Sequence, residues 1–419
     1  MPGRKDLKKI SQPDLEAMLD RHVMFREARL GGARANLAHH DLSNVSFAKR
    51  DLSHADCTGA SFMHADLSDA NLDYCILFGA DMRFTNLRGA SLVRADMRGA
   101  CLRSAILVHA DLTGVDLREG ILASSSSSGA LVSIHDGPHY EGGNADLSGA
   151  NLTDAKLAGA VAAGTNFSDA NMRGCKVARA DLSGANLQGA DLQNADLSMC
   201  NVAGADMRNS VLINIRHAHT NMAAAKMEGA LTVAPLGTTL KQMSVPIEEL
   251  LRQHTIWVST NGQSGKQLNI SKHDLRHGVN FSRTLLTMMM AEKAILYGVN
   301  FADAHLQAVH FSGADLRHAN MQTADLRGAD FRHAKLNNVR MQGARLEPLE
   351  LVSSRPLASN FQGASLRYAN FSGAKLAEAN FRNCDLYGAN FLGADLTKAI
   401  FDGANMEGAR IPLEEPVKS

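Results

Sequence analysis

The chain has 419 residues, and 43 Lys and Arg balance 43 Asp and Glu for a formal net charge of +0. That length is ample for two domains, and the balance announces no strongly acidic or strongly basic partner. Hydrophobic residues make up 45% of the chain, yet no run of about 18 apolar residues occurs, so no membrane span is expected.

The opening, MPGRKDLKKISQPDLE, has no apolar stretch. A secretory signal is therefore not expected, and a bacterial cytoplasm is. Residues 13–22 (PDLEAMLDRH) predict a short helix, with Pro near its first turn and acidic residues following. Residues 1–34 are assigned to an N-terminal cap.

From residue 35 a large apolar residue recurs every five positions, almost always with Ala two places before it. In NADLSGANLTDAKL, Leu147, Leu152 and Leu157 are spaced by five, and Ala145, Ala150 and Ala155 each precede one of them. Neither the helical period of 3.6 nor the strand period of 2 produces this. A fixed longer repeat marks a solenoid, whose units bury their apolar sides only by stacking on neighbours. The first block covers 35–230, interrupted at 123–143 by ASSSSSGALVSIHDGPHYEGG, which reads as a projecting loop or a degenerate coil. Residues 231–245 are expected to be a linker. Residues 246–254 (PIEELLRQH) predict a second short helix within a second cap, 246–267. A second block runs over 268–411 in a shifted frame. Within it, 284–295 (TLLTMMMAEKAI) reads as a degenerate coil or a short helical insert, and 347–360, with two prolines, as a bulge. Residues 412–419 are left as a tail.

The slot chemistry is as regular as the spacing. The central residue is Leu, Phe or Met; the slot before it is often Asp or Asn, as in Ala65-Asp66-Leu67, Ala150-Asn151-Leu152, Ala324-Asp325-Leu326 and Ala394-Asp395-Leu396. This pattern resembles the pentapeptide repeat family, with consensus A-(D/N)-L-x-x. The resemblance implies an all-β fold, a right-handed quadrilateral β-helix in which one repeat makes one side and four repeats close a coil. Two tandem β-helical segments are expected, each with a short N-terminal capping helix. Leu and Phe would stack inside, and Ala would sit where close packing leaves no room for more. Gly after the centre suits a corner with unusual φ/ψ. The regular Asp residues are expected to bond the backbone at the corner rather than to catalyse.

The two cap regions correspond. His22 and Phe25 precede the first repeats as His254 and Trp257 precede the second, which reads as an internal duplication. These four residues are assigned to structural caps, since a bare coil end exposes apolar side chains and unpaired edges. Cys75, Cys175, Cys200 and Cys384 occupy the small inward slot, Cys57 a centre, and Cys101 an outward slot. No metal-binding cysteine spacing occurs.

Function has to lie on the outward slots. With a coil of four repeats, Arg83 stacks on Arg103 and Arg98 on Arg118, an arginine corner with Arg88 and Arg94 nearby. It could dock an acidic protein or a phosphate backbone, or be a solvated face balanced by Asp81, Asp96, Asp111 and Asp116. The insert residues His135, Asp136, His139, Tyr140 and Glu141 match no known ligand spacing, and His39, His40, His54, His64 and His109 lie at or near outward slots. No metal or cofactor is assigned, and no nucleophile elbow, P-loop or dinucleotide fingerprint appears. The expected function is a non-catalytic protein-interaction scaffold with an unknown protein partner, and a homo-oligomer through a rod end is conceivable. The alternatives are a DNA-mimicking binder of a type II topoisomerase (gyrase), as the resemblance implies for the family's quinolone-resistance members, and a nucleic-acid or anionic-surface binder through the arginine corner.

Overall fold

The computed structural model describes residues 7–118, 123–125, 131–133, 144–276, 278–351 and 355–411. Two compact units divide the chain, Met1–Val233 and Ala234–Ser419.

In the first unit the backbone pairs with itself at a step of twenty residues. Asn36 bridges Asp56, Asp56 bridges Ile76, and Ile76 bridges Asp96, all in parallel. Four five-residue sides therefore make one coil. The bonding is reciprocal: Leu37 N–H donates to the Asp56 carbonyl at 2.7 Å, and Asp56 N–H donates to the Ala35 carbonyl at 3.0 Å. Each side is too short to register as a long strand, yet its polar main chain is satisfied by the coils above and below.

The inward slots explain the period. Leu37, Leu42, Phe47 and Leu52 are fully buried, and so are the small residues two places before the centres that follow, such as Ala55 and Ala60. The inward cysteines are buried too, and burial pushes the Cys200 thiol up to about 11. The slot two after the centre turns the corner in the left-handed region. Gly59 and Gly89 have φ of +61° and +67°, but His54 and Tyr74 hold the same conformation at +64° and +57°. Such values are uncommon without glycine. The coil enforces them, because His54 N–H is pinned to the Asp73 carbonyl at 2.8 Å.

The slot before the centre acts as the sequence predicts. Asp66 Oδ1 accepts the Ser68 N–H at 3.0 Å and an Asn86 side-chain N–H from the next coil at 2.9 Å. Hydrogen bonds from the Ser68 hydroxyl and backbone hold the Asp66 carboxyl below its ordinary value of 3.8. Its contribution to stability is therefore complete above 3.8 and fades as pH falls through the lower folded value. Asp66→Ala is expected to cost about 1 kcal/mol in urea unfolding near neutral pH; an unchanged midpoint would show the corner bond to be dispensable.

The chain leaves the coil after residue 118 and re-enters at 144, since Cys101 bridges Asp146 and Asp116 bridges Val161. Within that excursion β1 (Ala123–Ser125) pairs antiparallel with β2 (Leu131–Ser133). The candidate residues His135, Asp136, His139, Tyr140 and Glu141 lie outside the described residues, as does the tail 412–419.

Helix α1 (Gln12–Arg26) opens the first unit. Ser11 accepts the Asp14 N–H, and Pro lies in the first turn. Leu15 and Leu19 join the same buried cluster as Leu37 and Leu42. The helix runs four residues past the predicted 13–22, so Phe25 lies on it.

In the second unit, β3 (Thr238–Thr239) pairs in parallel with β4 (His273–Asp274). Residues 234–243 are therefore not a free linker. Leu236 N–H donates to Asp274 at 3.0 Å, Arg276 donates to the Ala234 carbonyl at 2.9 Å, and Leu240 and Met243 pack on the second core. The segment supplies a partner for the edge of the first coil. Helix α2 (Ile247–Ser259) follows, again longer than predicted, with Pro246 as its N-cap and Trp257 in its last turn. The first coil carries one extra residue, as Asn269 bridges Met290 and Asn280 bridges Asn300, which shifts the repeat frame. Residues 284–295 are coil sides, with Ala291 buried at the centre slot between Leu286 and Leu296. The 347–360 bulge contains an antiparallel bridge between Leu349 and Leu357, and Asp330 then pairs with Asn360.

Candidate interaction surface

The coil register brings the predicted arginines into two columns. Asp81 bridges Cys101, and Phe84 N–H donates to the Arg103 carbonyl at 3.1 Å, so Arg83 lies over Arg103. Asp96 bridges Asp116, and Gly99 N–H donates to the Arg118 carbonyl at 3.1 Å, so Arg98 lies over Arg118.

Each of these side chains is claimed locally. Arg83 donates Nε and Nη2 to the two Asp81 oxygens at 2.8 and 2.7 Å. Arg98 forks Asp96 at 2.9 and 2.7 Å, and Arg118 forks Asp116 at 3.0 and 2.8 Å. Arg98 also lies 3.9 Å from Asp116, which makes a balanced group of two arginines and two aspartates. Arg103 has Cys101 in the place of the aspartate; its Nε meets that sulfur at 3.4 Å and pairs with Asp146 at 3.0 Å. Burial alone would raise Asp116, but hydrogen bonds from Arg118 and the charges of Arg118 and Arg98 hold it below the ordinary carboxylate value. The Asp81 hydrogen bond keeps Arg83 above its own. Where such pairs are open to solvent they add little to stability. Their effect is to fix the guanidinium planes and cancel the charge. The Asp-centre-Arg spacing behind them recurs at Asp206–Arg208, Asp325–Arg327 and Asp330–Arg332.

The face beside Arg98 and Arg118 carries a feature that sequence reasoning missed. Asp56, Ile76 and Asp96 form one outward column, so Ile76 stands where its neighbours carry aspartate. Tyr74 and Phe78 flank it at the adjoining corners. Tyr74 is 46% exposed and stacks on His54 at 5.0 Å and 8°. The Arg98 guanidinium lies 5.3 Å from the Phe78 ring centre. Tyr74, Ile76 and Phe78 thus make an apolar row between charged rungs. The signal in the sequence was the isoleucine in an aspartate slot.

The other outward histidines do not converge. His64 stacks on Phe84 at 4.9 Å, His40 bonds the Ala38 carbonyl, and His109 lies 3.9 Å from Asp154. No group of metal-binding side chains occurs among the described residues. Among those residues no helix is long and apolar enough to cross a membrane.

His22 with Phe25 and His254 with Trp257, the residues expected in caps, form two matching sets. His22 and His254 are fully buried. The Phe25 ring stacks on His22 at 6.0 Å, and the Trp257 ring on His254 at 5.8 Å. Phe25 is 41% exposed, so it covers the imidazole rather than filling the core.

Comparison with known proteins identifies pentapeptide repeats over residues 25–69, 41–77, 80–119, 145–184, 178–214, 294–332, 322–347, 358–391 and 374–411, more than half of the chain. Three solved structures are similar at low identity. HetL, a pentapeptide repeat protein involved in heterocyst differentiation regulation from the cyanobacterium Nostoc sp. strain PCC 7120, shares 20% identity over 97% of this chain and 99% of its own, with a TM-score of 0.15. Rfr23 from the cyanobacterium Cyanothece 51142 shares 24% over 30% of this chain and 90% of its own, with a TM-score of 0.17. Trypsin-treated QnrB1, a plasmid-mediated fluoroquinolone resistance protein, shares 15% over 48% of this chain and 92% of its own, with a TM-score of 0.30. No curated protein matches the chain.

Proposed function

The chain belongs to the pentapeptide repeat family, whose fold is a right-handed β-helical solenoid, and we propose that it is a non-catalytic cytoplasmic scaffold for protein interaction. In this reading two rods, 35–230 and 268–411, are each closed at the start by a helix, α1 and α2, and their outward columns present side chains to a protein partner. The observation that carries it is the row Tyr74, Ile76 and Phe78 beside Arg98 and Arg118. Aromatic residues and Arg are the side chains enriched in protein interfaces and at their energetic centres. Here they sit on a rigid backbone with their rotamers already held, which lowers the entropy lost on docking.

The two alternatives need a net field. A DNA mimic requires an acidic face, and a phosphate binder an excess of cations. Arg83, Arg98 and Arg118 are each forked by an aspartate and Arg103 pairs with Asp146, which favours a protein partner over either.

The test is a pull-down from a bacterial lysate with the intact chain, beside one variant with Tyr74→Ala and Phe78→Ala and another with Arg83, Arg98, Arg103 and Arg118 all changed to Gln. A protein retained by the intact chain and lost from the Tyr74/Phe78 variant is expected. Nucleic acid retained instead, lost from the arginine variant and falling steeply with salt, would replace this reading with the third one.

A further inference from the structure

We propose that His22 and His254 are acid-released latches, one in each unit, that let go of α1 and α2 when their imidazoles take up a proton. The proposal rests on the reading that these helices close the coil ends.

The two sites share one geometry. His22 Nδ1 accepts the backbone N–H of Ala35 at 3.1 Å, and His254 Nδ1 accepts that of Leu268 at 3.0 Å. Ala35 and Leu268 occupy the same slot, two residues before the first buried centres, Leu37 and Ile270. Each helix is thus tied to the first inward residue of its coil by one imidazole nitrogen. An aromatic ring three residues on covers each imidazole.

An imidazole that accepts at Nδ1 is neutral and carries its proton on Nε2. Both Nε2 atoms are buried without a hydrogen-bond partner; the backbone of Ser53 and of Thr287 exerts only a weaker pull on them. A second proton has one place to go, Nδ1. It would then face an N–H donor across about 3 Å, so the latch bond is lost and a buried cation is left with no acceptor at Nδ1.

The surroundings set the direction. Burial holds His22 and His254 below the ordinary value of 6.5. At His22 the Asp51 carboxylate favours the proton, and Arg26 and Arg34 oppose it; Arg26 is itself 3.6 Å from Asp51, and Glu16 of α1 pairs with Arg50 of the coil at 2.8 Å. At His254 the influences are burial and the Thr287 backbone, with the Trp257 ring alongside. A lowered folded value means that the released state binds the extra proton. Latch stability is therefore complete above 6.5 and is lost as pH falls from there toward the lower folded value.

The experiment follows hydrogen exchange at the Ala35 and Leu268 amides of the full chain from about pH 7.5 down to about 5, corrected for intrinsic rates. Protection at both amides is expected to fall with pH, by up to about tenfold per unit, while interior amides such as Leu92 and Phe331 keep theirs. Trp257 is the single tryptophan, so its emission reports the charge on His254 directly, and its midpoint should coincide with the loss at Leu268. The double variant His22→Asn, His254→Asn retains an acceptor near the Nδ1 position without titrating and should keep level protection. Amides already unprotected at the upper pH would sink the capping reading and the latch with it. Amides protected throughout in the wild type, or lost equally in the asparagine variant, would overturn the latch alone.

Discussion

Phe381→Ala is expected to destabilise the second unit by about 3–5 kcal/mol. Phe381 is fully buried and stands in a double column of rings. It stacks on Phe361 at 4.8 Å and 7° and on Phe401 at 5.1 Å and 4°. It also meets Phe371 and Phe391 edge-on at 5.7 and 5.8 Å. Alanine would remove the buried area and four ring contacts, each worth about 0.5–1.5 kcal/mol beyond area. The coils on either side are held apart by backbone hydrogen bonds, so they cannot collapse into the space. Denaturant unfolding read by circular dichroism should show the loss. A midpoint equal to wild type would mean that the column does not support the unit.

The second expected result is the reverse error, overpacking. Ala150→Leu should cost about 1–3 kcal/mol, or more where the backbone cannot yield. Ala150 is fully buried. Asn151 N–H donates to the Ala105 carbonyl at 2.9 Å and Asn171 N–H to the Ala150 carbonyl at 2.9 Å, so alanines stack directly above and below it. The added carbons of a leucine would press on the coils above and below. Ala158→Leu, at an outward corner, is the control and should stay within about 0.5 kcal/mol of wild type. Equal melting temperatures for the two variants would show that position 150 does not face inward.

Both predictions rest on slots that were legible in the sequence, and the reason is geometric. A coil side buries two side chains per five residues, and the next coil lies directly against them. The inward slots therefore accept a narrow range of sizes, which leaves a periodic signal at Leu147, Leu152 and Leu157 and at the alanines before them. The outward slots feel no such constraint, and their pairing depends on what stands one coil away. Arg98 illustrates this. Its column with Arg118 could be counted off and its fork to Asp96 lies within one turn, but the approach to Asp116 appears only when the next coil is folded.

The junctions of helix and coil show the same division. His22 and His254 were legible as a matching pair because the two regions repeat in order. That each accepts at Nδ1 a backbone N–H of the first coil, in the same slot, depends on a helix and a coil meeting across more than ten residues of chain. The interruptions divide likewise. The interruption at 123–143 could be seen, whereas its antiparallel pairing of β1 and β2 could not. Residues 234–243 carry no repeat and read as a linker, but the unpaired edge of β4 recruits β3, because an exposed edge of N–H and C=O groups pairs with any chain that reaches it.

By itself, then, the sequence determined the five-residue side and the buried columns, since close packing acts on every residue that points inward. Only the tertiary structure decided the approach of Arg98 to Asp116, the pairing of Arg103 with Asp146, and the bonds from the Ala35 and Leu268 amides to His22 and His254, because each joins residues whose nearness is created by the coil and not by the chain.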